Sequence, residues 1–364
     1  MRARPTLALV VTLAITGCDR SPTDNTQRPT EPVDPLTAQA ASTGCSSRCG
    51  YLIDVQPSGS SLVFRITEDA RLLGDHSDQA YNTTGVFAWS RARGTVSTPL
   101  GMPPGEAEAH AAARNNWGQT VGTTYGNATA WEPNGTPVPL RDPATSRRIR
   151  GWGPSDINEN SVIVGGGYLD GSPNNSRPFR WHYQEGFQFL VPDSTTGTAA
   201  RVNDAGTIIG SYRQAGSEGP MTWFTWTKAA GRVDMGPGEA SAISENGHIV
   251  GVDGAGDGWM RTPQGEMVAL PKGWRPVDVN DWGEVLLRGT AGVVPPNTCV
   301  GAVWYKGYGL LRLTSPNPDI PWCNVVSINS WGDVVGHLLI GSNQPRRYPV
   351  VWTWKNNAYR YVAQ

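Results

Sequence analysis

The stretch SINSWGDVVG, residues 327–336, carries the pattern that decides the fold of this chain. An Asn is followed three residues later by a Gly, and apolar residues lie on both sides. An Asn side chain caps a tight turn by hydrogen bonding to the backbone, and Gly adopts the left-handed conformation that costs other residues about 1 kcal/mol. The stretch therefore predicts two short strands joined by a tight turn.

The same phrase recurs five times upstream. The copies are Asn115-Asn116-Trp117-Gly118, Asn158-Glu159-Asn160-Ser161, Asn203-Asp204-Ala205-Gly206, Ser244-Glu245-Asn246-Gly247 and Asn280-Asp281-Trp282-Gly283. Ser161 stands where Gly is expected, and Ser244 stands where Asn is expected. Each copy is followed by an apolar strand that ends in Trp and then by a second apolar strand. These strand tryptophans, expected to be core residues, are Trp89, Trp131, Trp181, Trp226, Trp259, Trp304 and Trp352.

Four strands in a repeat of roughly 33 to 50 residues are typical of one β-propeller blade. The sequence therefore predicts an all-β chain that folds as a β-propeller of four-stranded blades. Seven blades are favoured and six are the alternative. For the first blade, Tyr51 to Val55 and Leu62 to Ile66 would form a degenerate hairpin about Pro57-Ser58-Gly59.

These repeats resemble the bacterial HAF-type extracellular repeats, in which an A-x-x-I-N-x-x-G-x-V-V-G segment is followed by an A-F-x-W strand. The resemblance covers about residues 85 to 360, and its closest matches are residues 327–336 and Val86-Phe87-Ala88-Trp89. It departs at Leu287-Arg288-Gly289, where the Val-Gly ending is expected. The resemblance implies an exported repeat protein and no particular activity.

Composition excludes several classes of protein. Among 364 residues, 44 Gly, 29 Pro and 15 Trp indicate short strands and many turns, and they argue against a helical bundle. Lys and Arg number 30 against 31 Asp and Glu, so no basic field is available to attract nucleic acid.

The N-terminal residues predict export. Arg2 and Arg4 precede an apolar run from Leu7 to Ile15, and Cys18 follows Gly17 as in a bacterial lipoprotein signal. We expect a signal peptide at residues 1–17, a lipid on Cys18, a disordered tether at 18–44 and the propeller at 45–364. The alternative is an ordinary cleaved signal in which Cys18 is incidental. The lipid would anchor a monomer to the cell envelope, either in the periplasm or at the cell surface.

Four cysteines remain after Cys18. An exported compartment permits disulfides. Cys45 and Cys49 are close in sequence, as are Cys299 and Cys323, so Cys45–Cys49 and Cys299–Cys323 form the simplest of three open pairings.

Familiar catalytic signatures are missing from the sequence. It contains no G-x-S-x-G, no H-E-x-x-H and no phosphate-binding loop with its lysine. The five histidines lack metal-ligand spacing, so neither a metal site nor a cofactor is predicted.

One group of residues suggests a binding site at a mouth of the propeller channel. Trp152, Trp274 and Trp322 precede their turn asparagines by six or seven residues and are assigned to the links between blades, as is His110. Asp156, Arg201 and Asp278 stand two residues before the turn position, where the repeat has a small residue. Aromatic rings with charged groups behind them suit polyhydroxylated ligands. The alternative is that these tryptophans pack between blades and the charges are satisfied internally.

The turn tryptophans Trp117, Trp282 and Trp331 are expected on the opposite face as packing wedges. The sequence thus favours an exported binding module for a glycan or an envelope protein. A polysaccharide lyase or glycosidase is the second hypothesis, with Asp156 and Asp278 as paired carboxylates and with Arg201 or His110 stabilising charge. A protein scaffold that pairs through its outer strands is the third.

Overall fold

The computed structural model describes residues 60–77, 83–90, 93–290, 292–294, 298–315, 323–340, 346–355 and 358–361. The predicted signal peptide, Cys18, the tether, Cys45, Cys49 and Trp322 lie outside the described residues. All regular secondary structure within those ranges is β-strand. The described residues include no helix that is long and apolar enough to cross a membrane.

The strands form seven consecutive groups. Their bounds are β1 Ser60–Ile66, β2 Leu72–Ser77, β3 Thr83–Ser90 and β4 Gly94–Pro99; β5 Ala109–Arg114, β6 Thr120–Thr124, β7 Asn127–Trp131 and β8 Pro137–Pro139; β9 Ile149–Ile157, β10 Ile163–Leu169, β11 Arg177–His182 and β12 Gly186–Phe189; β13 Thr195–Val202, β14 Ile208–Gln214, β15 Thr222–Thr227 and β16 Gly231–Ile243; β17 Ile249–Asp253, β18 Gly258–Arg261 and β19 Met267–Ala269; β20 Trp274–Val279, β21 Val285–Gly289, β22 Gly301–Tyr305 and β23 Gly309–Arg312; β24 Cys323–Ile328, β25 Val334–Ile340, β26 Arg346–Lys355 and β27 Ala358–Tyr361.

Each group is an antiparallel meander in which strands pair in chain order. The long strand β16 serves two groups, because residues up to Pro237 pair with β15 and residues from Gly238 pair with β17. The chain is therefore a β-propeller of seven four-stranded blades, as the sequence favoured. Blade 1 begins at β1, and blades 2 to 7 begin at β5, β9, β13, the second half of β16, β20 and β24.

Seven apolar clusters hold the blades together, one at each seam between consecutive blades. The seam of blades 6 and 7 contains the largest cluster, with Leu286 and Val325 among its fully buried members. Blade 7 closes the ring on blade 1 through a cluster that includes Val63, Phe87 and Val351. Of the seven strand tryptophans, Trp181 and Trp304 are half-buried and the others are buried in these seams, which confirms their predicted role in packing.

The first strand of every blade has a β-bulge at the same place. The pairing with the second strand skips one residue in each blade, namely Phe64, Ala112, Ser155, Ala200, Ser241, Val277 and Val326. A bulge bends the strand and redirects the side chain that follows it.

The bulge explains the Gly that ends the repeat phrase. In blade 7 a Cβ on Gly336 would lie 1.9 Å from the carbonyl oxygen of Asn324, and in blade 2 one on Gly122 would lie 2.0 Å from that of His110. Only Gly permits so close an approach of the two strands. Blade 6 has Leu287 there instead, opposite Pro276.

The turns between the first and second strands follow the predicted chemistry. In blade 7, Asn329 Oδ1 accepts the backbone N–H groups of Trp331 and Asp333, and Gly332 has a φ of +82°. Ser161 takes the left-handed conformation in place of Gly, with a φ of +59°. We call the face of the ring that carries these seven turns, residues 67–71, 115–119, 158–162, 203–207, 244–248, 280–284 and 329–333, the turn face.

Only part of the predicted first hairpin falls within the described residues. Leu62 to Ile66 belong to β1, which pairs with β2 about a turn at residues 67–71. In that turn Thr67 replaces Asn and Ala70 replaces Gly with a φ of +56°, which concealed the repeat phrase. Tyr51 to Val55 lie outside the described residues.

Candidate functional site

A cavity of about 110 Å³ opens at the turn end of the central channel. The ends of the first strands of all seven blades line it. The residues that follow the seven bulges are Arg65, Ala113, Asp156, Arg201, Ala242, Asp278 and Ser327, and six of them, all except Ala242, line the cavity. The bulge therefore directs the side chain at one repeat position toward the channel. The residue at this position is charged in four of the seven blades.

Asp156, Arg201 and Asp278 are brought together in this cavity, which lies at the turn end of the channel, whereas the sequence placed them at the mouth opposite the turns. Asp156 Oδ2 accepts the backbone N–H of Val202 at 3.0 Å, and Asp278 Oδ2 accepts that of Ile328 at 3.0 Å. Each carboxylate thus binds the first strand of the next blade. Burial raises the pKa of both carboxyls, and the positive charge of Arg201 opposes the rise.

Arg65 is the fourth charged residue at this repeat position in the cavity, and it was not predicted from the sequence. Burial works against its charged form, yet Asp156, Glu245, Glu159 and Asp278 outweigh that cost and raise its pKa. Its side chain keeps about a third of its surface exposed, so water in the channel screens these interactions. Aligning Thr67 with the turn asparagines would have placed Arg65 at the position of Asp156.

A ring of carboxylates surrounds the cavity on the turn face. The second residue of the turn is acidic in five blades, at Glu68, Glu159, Asp204, Glu245 and Asp281. Each accepts a backbone N–H from the turn of the preceding blade. Burial, together with the negative charges of Asp204 and Asp281, raises the pKa of Glu245 to about 7.

Three tryptophans lie on the turn face, at the end of the channel where this cavity opens, and none of them lines it. Trp117 is 70% exposed and Trp331 is 41% exposed, while Trp282 is half-buried. The Nε1 of Trp117 donates to the Glu159 carbonyl at 3.0 Å, and the Nε1 of Trp331 donates to that of Glu68 at 2.8 Å. These hydrogen bonds join neighbouring blades, but the rings of Trp117 and Trp331 are open to solvent and do not pack as the predicted wedges.

The sequence predicted Trp152, Trp274 and His110 at the same mouth as Asp156 and Asp278, but the structure does not bring them together with these carboxylates. Trp152 is 61% exposed but precedes Asp156 by four residues, which is about 13 Å along an extended strand. Trp274 is only 4% exposed and packs in the seam of blades 5 and 6. His110 is exposed near the start of β5, away from the turn.

The cysteine pair Cys299–Cys323 forms a disulfide in the structure, as predicted. It joins the chain before β22 to the start of β24, across the seam of blades 6 and 7. In the part of the chain that the structure describes, no three His, Cys, Asp or Glu side chains are grouped so as to hold a metal ion.

Comparison with known proteins supports the fold. Neither a family model nor a curated protein matches this chain. A catalytically inactive virginiamycin B lyase from Staphylococcus aureus with quinupristin has a TM-score of 0.53 and 8% identity, covering 82% of this chain and 97% of that one. A streptogramin B lyase has a TM-score of 0.51 and 10% identity, covering 83% and 96%. The β-propeller domain of Cps50 (Swd1) from Myceliophteria thermophila has a TM-score of 0.49 and 10% identity, covering 83% and 99%. At such identities the likeness extends to the fold alone.

Proposed function

We propose that this protein is an exported, lipid-anchored binding module of the bacterial cell envelope, and that it binds a glycan on its turn face. The basic and apolar N-terminal residues before Cys18 support export and anchoring. The disulfide Cys299–Cys323 supports an oxidising compartment.

One observation carries the choice of ligand and face. Trp117 and Trp331 are exposed on the turn face, at the same end of the channel as the cavity that Asp156, Arg201 and Asp278 line. Aromatic rings stack on the apolar faces of sugars, and carboxylate and guanidinium groups hydrogen bond to their hydroxyls. Because the Nε1 of each ring is already bonded to the next blade, little rotational entropy is lost when a sugar stacks on it.

The proposal is tested with the purified full chain in detergent, using peptidoglycan fragments and neutral oligosaccharides as probes in calorimetric titrations. We expect Trp117→Ala combined with Trp331→Ala to weaken binding by about tenfold or more, since each stacked ring contributes on the order of 1 kcal/mol. Trp331→Phe keeps a ring without the Nε1 bond and should retain most of the affinity.

Trp152→Ala is the matched control, because Trp152 is comparably exposed but lies toward the other end of the channel. It should leave binding unchanged, with thermal denaturation confirming that every variant is folded. If Trp152→Ala abolishes binding and the turn-face variants retain it, the binding site lies on the other face. No binding of any probe would remove the glycan proposal and favour a protein partner.

A glycan-cleaving enzyme is the second candidate. It is favoured by Asp156 and Asp278, two carboxyls in one cavity whose pKa values are raised by burial. Chromatography of the incubated oligosaccharides separates the two functions, since a binding module returns its ligand uncut.

A further inference from the structure

One residue on the seam of blades 1 and 2 departs from the repeat. The residue directly before the first residue of the turn is aliphatic in six blades, at Ile66, Ile157, Val202, Ile243, Val279 and Ile328. Blade 2 has Arg114 at this position. The other members pack against the preceding blade, as Ile157 does in the seam of blades 2 and 3. Arg114 therefore introduces a cation where the fold has an apolar contact.

The guanidinium of Arg114 is buried without a counter-charge from the residues that the structure describes. Arg114 is 8% exposed, and its Nε and Nη1 atoms have no hydrogen-bond partner among the described residues. The charge that acts on it is that of another cation, Arg71, and together with burial it lowers the pKa of Arg114. An unpaired buried charge is strongly destabilising, so such a group normally has an anion beside it.

A second polar group beside Arg114 is also unsatisfied. Thr120 lies opposite Arg114 in the β5–β6 ladder, so both side chains are on the same face of the blade. Its Oγ1 is buried and lacks a partner among the described residues. A Cβ on Gly118 would be 3.2 Å from Arg114 Nη2 and 3.4 Å from Cβ of Pro133, which places the guanidinium beneath the turn of blade 2.

The same seam lacks a bond that other seams have. In five seams the turn asparagine donates its Nδ2 to the backbone carbonyl of the corresponding turn residue in the next blade, as Asn115 does to Asn158 at 3.2 Å. Thr67 replaces this Asn in blade 1, and its hydroxyl instead donates to Asp69 and accepts the N–H of Arg71 in its own turn. Two independent features therefore leave this seam incomplete.

We propose that an oxyanion, a carboxylate or phosphate group, binds at the seam of blades 1 and 2, held by Arg114 and Thr120. Charge-assisted hydrogen bonds to an oxyanion satisfy the guanidinium, and the threonine hydroxyl supplies a further donor. Arg114 is also one of the residues that line the channel cavity. The group is supplied either by a free ion or by an acidic substituent on a larger ligand.

The test is thermal denaturation and calorimetric titration of the full chain with inorganic phosphate, acetate and glucuronate. Each is compared with sodium chloride at equal ionic strength. We expect saturable one-to-one binding by at least one of the three probes. Binding by phosphate or acetate identifies a free-ion site, whereas binding by glucuronate alone identifies a site for an acidic sugar.

Two variants locate the site. Arg114→Ile restores the residue of the neighbouring repeats and should abolish saturable binding, while its melting temperature in anion-free buffer should be at least that of the parent. Thr120→Val keeps the shape and should weaken binding by about fivefold, the loss of roughly one hydrogen bond. The proposal is overturned if none of the probes binds the parent saturably, or if Arg114→Ile binds as the parent does. Glycan binding on the turn face is measured separately with the tryptophan variants, so either proposal can fail alone.

Discussion

The seam that closes the ring and the seam next to it are built very differently. Blades 7 and 1 meet through seven buried apolar residues, and Val63 N–H donates to His337 Nε2 at 2.7 Å. Asn329 Nδ2 donates to the Thr67 carbonyl, and Trp331 Nε1 donates to that of Glu68. Blades 1 and 2 share only four buried apolar residues, an unpaired Arg114, and no bond between their turns among the described residues.

Chain connectivity gives a reason for the strong contacts of the closing seam, although consecutive blades can also be strongly joined, as blades 6 and 7 are. Blade 2 follows blade 1 through a connection of nine residues, from Leu100 to Glu108, so the chain itself keeps the two blades close. Blades 7 and 1 lie at opposite ends of the described chain, and their contacts join residues more than 260 positions apart. Because closing so long a loop costs more entropy, the closing seam needs the stronger set of contacts.

The largest expected effect is at Asn329. Asn329→Ala removes the bond to the Thr67 carbonyl and both bonds that Oδ1 makes within the turn. Because the site is buried and each bond is worth about 1 kcal/mol net, we expect the free energy of unfolding to fall by about 3 kcal/mol. Urea denaturation of the variant and the parent measures this loss of unfolding free energy.

Thr67→Ala is the control at the corresponding position of the weaker seam. It breaks only contacts inside its own turn, with Asp69 and Arg71, and should cost about 1 kcal/mol. Equal losses for the two variants would contradict the distinction between the seams.

The closing seam should also be sensitive to acid through His337. Burial, with Arg347 and Arg288 nearby, lowers the pKa of His337 to about 3. Between about pH 6.5 and pH 3 the unfolded state binds a proton that the folded state does not, so stability falls as the pH falls. At pH 5 the loss from this residue is about 2 kcal/mol, at about 1.4 kcal/mol per pKa unit.

Other groups act in the opposite direction. Burial raises the pKa of Asp75 to about 6 and that of Glu245 to about 7, so these carboxyls stabilise the folded state as the pH falls from neutral. His337→Gln isolates the histidine, because it offers an acceptor for Val63 N–H that does not titrate. On going from pH 7 to pH 5, the change in unfolding free energy should be about 2 kcal/mol less favourable in the parent than in the variant, and identical pH profiles would rule His337 out.

The sequence predicted most of the fold because the turn pattern is local. An Asn, a Gly three residues later and a strand Trp specify one blade, and their repetition specifies the ring. The grouping of Asp156, Arg201 and Asp278 was predicted for the same reason, since all three precede the turn by two residues, but the end of the channel at which they lie was not.

The arrangement of the tryptophans could not be predicted in this way. Grouping Trp152 with Asp156 ignored the rise of about 3.3 Å per residue, which separates positions that are near in sequence. Arg65 was missed because Thr67 and Ala70 replace the signature residues of the turn. The burial of Trp274 depends on side chains from two blades, and no local pattern reports such packing.

The smallest expected effect comes from repairing the weaker seam. Thr67→Asn restores the turn asparagine in blade 1, whose Nδ2 would reach the carbonyl of Asn115 as Asn158 reaches that of Asn203 at 2.9 Å. We expect a gain of about 0.5 to 1 kcal/mol in the free energy of unfolding, the value of one hydrogen bond. Ser244→Asn is the matched control, since the seam of blades 5 and 6 also lacks this bond but is already bridged from Asn246 to Asp281. A larger gain at Ser244 than at Thr67 would mean that the turns of blades 1 and 2 do not need a hydrogen bond between them.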